Sequence, residues 1–376
     1  MHVLKHIDLA GYKSIKKASL DLRPLNVLIG ANGSGKSNFV AFFRLLNAMM
    51  SRNLQGFIGT SGGADSLLHY GVKVTPQLEA ALSFESHDSD NTYRMRLGHA
   101  AEDTLIFLEE CISFRKRDNA APWTRSLGTG HRETALNTPM DAPENYAPSV
   151  HESISIFRSI LNRCRAFQFH DTSSTARSRL KGDINQDRFL MSDGGNLAAY
   201  LYRIQRTHPD CYRRIVGTIQ QIAPFFGDFN LAPTELNPDV IQLRWQERDH
   251  EYDFGPHLLS DGTLRAMMLV TLLLQPKTDM PLVIVIDEPE LGLHPYALTV
   301  LAGLLKSASS HSQIIVATES ATFLDHFDPE DVVVTERCMG ETVFRRLDAD
   351  ELQEWREEYC LSDLWEKNVI GGRPSR

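Results

Sequence analysis

Residues Leu25 to Ser37 read Leu-Asn-Val-Leu-Ile-Gly-Ala-Asn-Gly-Ser-Gly-Lys-Ser. A short apolar run, spaced glycines and a Gly-Lys-Ser ending form the pattern of a strand, a phosphate-binding loop and a helix N-terminus. Gly30, Gly33 and Gly35 let the backbone turn tightly enough for N–H groups to face phosphate oxygens. The helix opening near Gly35 and running through Phe39 to Met50 adds its positive end to the same charge. Gly30, Ala31, Asn32, Gly33, Ser34, Gly35, Lys36, Ser37 and Asn38 are thus expected to wrap a nucleoside triphosphate. In that arrangement Lys36 reaches the β- and γ-phosphates, and Ser37 holds Mg²⁺.

A second element lies far downstream. Leu282 to Ile286 is wholly apolar and rich in β-branched residues, the composition of a central strand buried on both faces. It delivers Asp287 and Glu288 to the carboxyl end, where open parallel sheets place ligands. Asp287 suits Mg²⁺, and Glu288 suits a catalytic role polarising the attacking water. Between the two lies Leu259-Ser260-Asp261-Gly262-Thr263, which opens an apolar helix to Leu274. Ser260 and Gly262 at that helix start make a second anion-binding end.

The order of these motifs, with Asp287-Glu288-Pro289-Glu290-Leu291-Gly292-Leu293-His294-Pro295 and the later Ala317-Thr318-Glu319-Ser320, resembles the ABC-type ATPase heads of the RecF/SMC group. Within it, the chain looks most like the single-chain ATPases related to overcoming-lysogenisation-defect proteins. The opening Tyr12-Lys13-Ser14 turn fits the same group. The resemblance implies an α/β fold: an ABC-type head with a mixed P-loop core sheet, an antiparallel side sheet and a helical lobe. It also implies ATP and Mg²⁺ as cofactors and a homodimer in which Ser260 and Gly262 of one copy close over the nucleotide of the other. The regions expected are 1–171 (nucleotide-binding lobe), 172–257 (helical lobe and return strands) and 258–376 (signature to tail).

Two positions depart from the family. Asp261 replaces a frequent glycine. Glu319 stands where the family carries His or Gln, and an anion beside a γ-phosphate repels it, so slow hydrolysis is expected. Phe167-Gln168-Phe169-His170-Asp171 falls where the family's Q-loop lies, which makes Gln168 a candidate Mg²⁺ contact and His170 another. A solvent-facing Gln168 and a simple His170–Asp171 pair stay open, as does a capping role for His294.

Composition narrows the class. The 376 residues are 42% apolar and 23% charged with net charge −9, an ordinary globular balance that excludes a protein coating nucleic acid overall. Arg177 to Arg214 is the local exception, with eight basic residues against four acids. It is either a DNA phosphate contact or a solvated helix face. No run approaches the roughly 18 apolar residues of a membrane span, and a cytoplasmic location is expected. Cys111, Cys164, Cys211, Cys338 and Cys360 include no Cys-x-x-Cys pair, so reduced, mostly buried thiols are expected.

Three alternating runs, Leu78–Phe84, Tyr93–Leu97 and Leu105–Phe114, predict the side sheet. Residues 115–149, rich in Pro and Gly, predict a mobile surface insertion. Sustained heptads are absent, so the head carries no long coiled-coil arms. After Val332–Thr335 and Thr342–Leu347, only a short helical piece near Asp350–Tyr359 and an exposed end are expected. Asp348 and Asp350 read as a helix cap. The remaining length is too short for a TOPRIM nuclease domain, so a nuclease effector, which the resemblance implies in antiphage defence, is placed on a separate chain. A RecF-like repair ATPase that binds DNA directly and an ATP-binding regulatory module with little hydrolysis are the competing readings. A transporter subunit fits least.

Overall fold

The computed structural model describes residues 2–116, 123–138 and 148–373. The chain opens with a hairpin, β1 (Val3–Tyr12) and β2 (Ile15–Asp21), then the core strand β3 (Leu25–Ile29) and helix α1 (Lys36–Met50). Strands β4 (Gln77–Glu85), β5 (Ser89–Ala100), β6 (Thr104–Lys116) and β7 (Trp123–Gly128) follow. They extend the hairpin into a six-stranded antiparallel sheet of order β2-β1-β4-β5-β6-β7. Along β4 the alternate residues Leu78, Leu82 and Phe84 are buried, as the period of two requires when one face meets a core.

The second half supplies α2 (Pro148–Asn162), β8 (Cys164–Phe167), α3 (Leu197–Thr207), α4 (Pro209–Ile222), α5 (Asp261–Leu274), β9 (Val283–Asp287), α6 (Pro295–Ala308), β10 (Gln313–Thr318), β11 (Val332–Cys338) and β12 (Glu341–Arg346). The core sheet runs β12-β11-β3-β10-β9-β8. All its pairings are parallel except β11 with β12. Strands β3, β9 and β10 are buried at every residue because alternate side chains feed two cores. Leu28, Val285, Ile315 and Ala317 pack with α1 and the side sheet. Val27, Ile29, Ile286 and Val316 face α3, α4, α5 and α6. The expected α/β head with a mixed core sheet and an antiparallel side sheet is the observed architecture. Because the core sheet takes strands from both 25–29 and 283–346, the stretches 1–171 and 258–376 interleave.

Several local expectations change. Of the insertion 115–149, residues 117–122 and 139–147 lie outside the described residues. Residues 123–138 instead form an edge strand and a packed turn, with Leu136 fully buried. Their anchor is Glu110, itself 0% exposed. It accepts hydrogen bonds from the Tyr93 hydroxyl at 2.7 Å, His131 Nε2 at 2.8 Å and the Ala135 N–H at 2.9 Å, and another from the Thr134 hydroxyl.

Within the expected lobe 172–257, residues 172–227 are α-helical only in α3 and α4; before them come a 3₁₀ turn, Arg177–Arg179, loop and a two-residue strand, Gly182–Asp183, paired with Asn237–Ile241. The helical piece expected near 350–359 shrinks to Gln353–Arg356, and the Asp350 N–H donates to Asp348 Oδ1 at 2.9 Å in a local turn. A second short helix, Leu361–Glu366, follows. The end is docked, since Leu361, Leu364 and Ile370 are buried. Only Cys111 and Cys164 of the five free cysteines are buried, and burial pushes the Cys164 thiol up to about 12. No helix among the described residues is long and apolar enough to cross a membrane.

Candidate nucleotide site

The phosphate loop leaves β3 under tight steric control. A Cβ at Gly30 would lie 2.2 Å from the Thr335 carbonyl oxygen, and one at Gly35 would lie 2.0 Å from Thr342 Oγ1. Gly35 also needs φ of 113°, which other residues rarely adopt. A relay braces the loop from outside. The Asn38 amide donates to Ser14 Oγ at 2.7 Å, Ser14 pairs with Thr342 Oγ1 at 2.7 Å, and the Thr342 hydroxyl donates to the Ser34 carbonyl at 2.8 Å. On the other side, the Ala31 N–H donates to the Gly372 carbonyl at 2.8 Å. The tail is thus part of the loop's wall.

Inside the loop, among the described residues, no carbonyl accepts the N–H of Gly33, Gly35, Lys36 or Ser37. These are donors of the kind a helix N-terminus leaves orphaned, and phosphate oxygens suit them. Lys36 is 3% exposed. Its ammonium donates to the carbonyls of Gly30 at 2.7 Å and Ala31 at 3.0 Å, and meets Glu319 Oε1 at 3.2 Å. The loop chemistry therefore fits a triphosphate.

Asp287 and Glu288 stand at the carboxyl end of β9. Asp287 is 4% exposed and receives the Ser37 hydroxyl on Oδ1 at 3.4 Å, the pairing expected of two residues that share one Mg²⁺. Burial holds its carboxyl above the usual range. Glu288 adopts φ of 44°, a left-handed conformation costing a non-glycine residue about 1–2 kcal/mol. Its N–H donates to the Ala317 carbonyl at 2.8 Å, which pins this conformation against the neighbouring strand.

Gln168 sits beside Asp287 through a chain of contacts. Its Oε1 accepts from Arg44 at 2.6 Å, its amide nitrogen meets His170 Nδ1 at 3.1 Å, and His170 Nε2 lies 3.0 Å from the Asp287 carbonyl. With Oε1 engaged by Arg44, Gln168 reaches a metal only after exchanging that bond. His170 does not pair with Asp171, which instead caps Ser173.

Ser260 caps α5, accepting the Thr263 N–H at 3.1 Å. Among the described residues, neither Ser260 nor Gly262 bonds to residues 30–38, Asp287 or Glu288. Gly262 has an intramolecular reason to be glycine, since a Cβ there would come within 2.2 Å of the Gly292 carbonyl oxygen. Buried Arg265 ties the same corner together, donating to the carbonyls of Phe169 at 3.0 Å, His170 at 3.2 Å and Leu291. His294 caps α6 by accepting the Tyr296 N–H at 3.3 Å.

Sequence reading missed Arg44, Thr342 and Gly372, and took Ser14 and Glu290 only as parts of longer motifs. Glu290 Oε1 accepts from the Thr318 hydroxyl and from the Glu319 N–H at 3.1 Å, which fixes the backbone at Glu319. Its Oε2 is buried without a partner, and burial raises its pKa. Only the acid pattern around Asp287 hinted at it.

The basic stretch 177–214 is partly internal. Arg179 is 4% exposed and binds the carbonyls of Thr172, Pro256 and Leu259 besides Asp261. Arg177, Arg203 and Arg213 pair with Asp193, Asp279 and Asp210. Lys181, Arg188, Arg206 and Arg214 carry no ion pair among the described residues.

Solved structures with this fold include an SMC head bound to the C-winged helix domain of ScpA, at 16% identity and TM-score 0.59, covering 94% of this chain and 99% of that one. The Smc head with an extended coiled coil from Pyrococcus furiosus, bound to the C-terminal domain of ScpA, matches at 15% identity and TM-score 0.60 over 95% and 99%. The Smc head with a coiled coil and joint from Pyrococcus yayanosii matches at 12% and 0.54 over the same shares. No curated protein matches the chain. Residues 25–325 match the family described as "AAA domain, putative AbiEii toxin, Type IV TA system". The phosphate loop and the acidic strand end both lie within that match, and the chain belongs to this AAA ATPase family.

Proposed function

We propose that the chain is an ATP-driven clamp in which two copies bind two ATP molecules face to face. The observation that carries this reading is that Ser260, among the described residues, bonds to Thr263 of its own helix and not to the phosphate loop of its own chain. Ser260 is exposed at the start of a 14-residue helix, so its anion-binding end is available to a second copy. Leu258, Leu291 and Tyr296, at 64%, 47% and 56% exposure, supply apolar surface near the signature and after the acidic strand.

In each site, the loop amides and Lys36 bind the phosphates, while Ser37 and Asp287 would hold Mg²⁺. The metal, when bound, neutralises phosphate charge. Glu288 accepts a proton from the attacking water, and the partner's helix end contributes Ser260 and Gly262. Gln168 would contact the metal once its bond to Arg44 is exchanged. Glu319, paired with Lys36, slows the cycle.

ATP binding closes the clamp, hydrolysis opens it, and the cycle controls a separate effector. A TOPRIM-type nuclease in antiphage defence is the effector class that the overcoming-lysogenisation-defect resemblance favours. The family description, which names a type IV toxin–antitoxin system, supports a two-component arrangement. Direct DNA binding through 177–214 is the weaker reading, because half of its basic side chains are tied to acids of the same chain.

Mixing two inactive variants tests the clamp. Lys36→Ala and Ser260→Arg should each lack ATPase activity, and their mixture should regain it, because one composite site per mixed dimer is intact. A mixture as inactive as its components would place the whole site within one chain.

A further inference from the structure

A cavity of about 680 Å³ opens along the edge strand β8, lined from Arg163 through Arg165 to Phe167. That volume lies in the range of small-molecule sites. Its charged lining is Arg163, Arg165, Arg188 and Arg203 against Asp187 and Asp279. Arg203 is accounted for, since it pairs with Asp279 and donates to the Asp187 carbonyl at 2.7 Å.

The other three guanidiniums retain unused donors. Arg163 donates once, to the Met280 carbonyl at 3.2 Å, and Arg165 once, to the Asn162 carbonyl at 2.9 Å. Arg188 is exposed, with no side-chain hydrogen bond or ion pair among the described residues. Only the Asp187 carboxylate opposes these three, so the cavity is cationic. The Arg165 guanidinium lies 4.7 Å from the centre of the Phe189 ring, and Phe189 remains 44% exposed. Planar guanidiniums suit phosphate oxygens, and an exposed aromatic face suits a base.

We propose that this cavity binds a nucleotide 5′-phosphate, held by Arg163, Arg165 and Arg188 with its base against Phe189. A carboxylate offers two oxygens to these three guanidiniums, whereas a terminal phosphate offers three. The ligand is either a free nucleotide or the phosphorylated end of a nucleic acid strand. The inference does not rest on the clamp, because no cavity residue belongs to the ATP site.

Fluorescence anisotropy on the full chain tests it, with a 5′-phosphorylated single-stranded oligonucleotide as probe and a pyrimidine nucleoside monophosphate as competitor. Arg188→Glu touches no internal partner, and an unchanged melting temperature confirms that it folds. The probe should lose about tenfold in affinity on Arg188→Glu and a similar factor when its 5′-phosphate is removed. Competition by the monophosphate at the probe's own affinity assigns the site to free nucleotides, and preference for the oligonucleotide assigns it to strand ends. Binding of both ligands that is indifferent to Arg188→Glu overturns the proposal.

Discussion

The Lys36 ammonium lies 3.2 Å from Glu319 Oε1, joining the phosphate loop to the end of strand β10. The lysine that a triphosphate needs is thus engaged by an anion standing where that triphosphate would bring its own charge. Glu319→Gln removes both the competition and the repulsion. ATP affinity should rise about three- to tenfold, on the order of 1 kcal/mol, and steady-state hydrolysis should rise with it. A titration and a turnover assay read the two effects; unchanged or lower turnover would remove the argument.

Asp287 is held protonated to a higher pH than an ordinary aspartate, chiefly by burial. A carboxyl whose folded pKa is raised lends stability that is present in full below its unfolded pKa. That stability is lost as pH rises through the folded value. At neutral pH, without metal, Asp287 therefore burdens the fold. Asp287→Asn should raise the melting temperature of the nucleotide-free protein at pH 7 more than at pH 4, while Mg²⁺-dependent hydrolysis falls on the order of a hundredfold or more. A melting temperature that drops at pH 7 would contradict the assignment.

Glu110 holds residues 131–135 against the side sheet. Replacing it with Ala strands the Tyr93 and Thr134 hydroxyls, so unfolding in urea should show a loss of about 2–4 kcal/mol. Nucleotide affinity at low temperature should be untouched. A loss below about 1 kcal/mol would mean that the turn is held by other contacts.

Gly372 supports the phosphate loop through its carbonyl and takes φ of 84° with Val334 and Trp365 close by. Deleting residues 371–376 frees the Ala31 N–H, and ATP should bind about two- to tenfold more weakly, the size of one hydrogen bond. Calorimetric titration checks it. Full affinity in the shortened chain would show that the tail merely rests on the loop.

The core was legible where a run is apolar at all of its residues or, with Asn26 in the first, at all but one. Leu25–Ile29, Leu282–Ile286 and Ile314–Ala317 announce buried parallel strands because both faces must be covered. Residues 123–138 were not legible, because their anchor is a single buried carboxylate whose partners lie far apart in sequence and look like surface residues. The tail misled for a related reason. Gly371 and Gly372 lie in what was expected to be an exposed end, whereas their positive φ angles turn the backbone onto Glu336 and the phosphate loop. Arg179 shows the limit of charge counting, since a basic run does not reveal which guanidiniums point inward to carbonyls. The Lys36–Glu319 pair was half legible: the position of Glu319 was readable, its partner was not.

The most direct test of the clamp is the mass of the Glu288→Gln protein in solution with ATP and Mg²⁺, measured by sedimentation or light scattering. On the proposed reading Glu288 activates the water, so its amide should leave ATP bound and the closed state populated. A species of twice the chain mass that returns to single chains when ATP is withdrawn is the expected result. A protein that remains a single chain while binding ATP fully would contradict it.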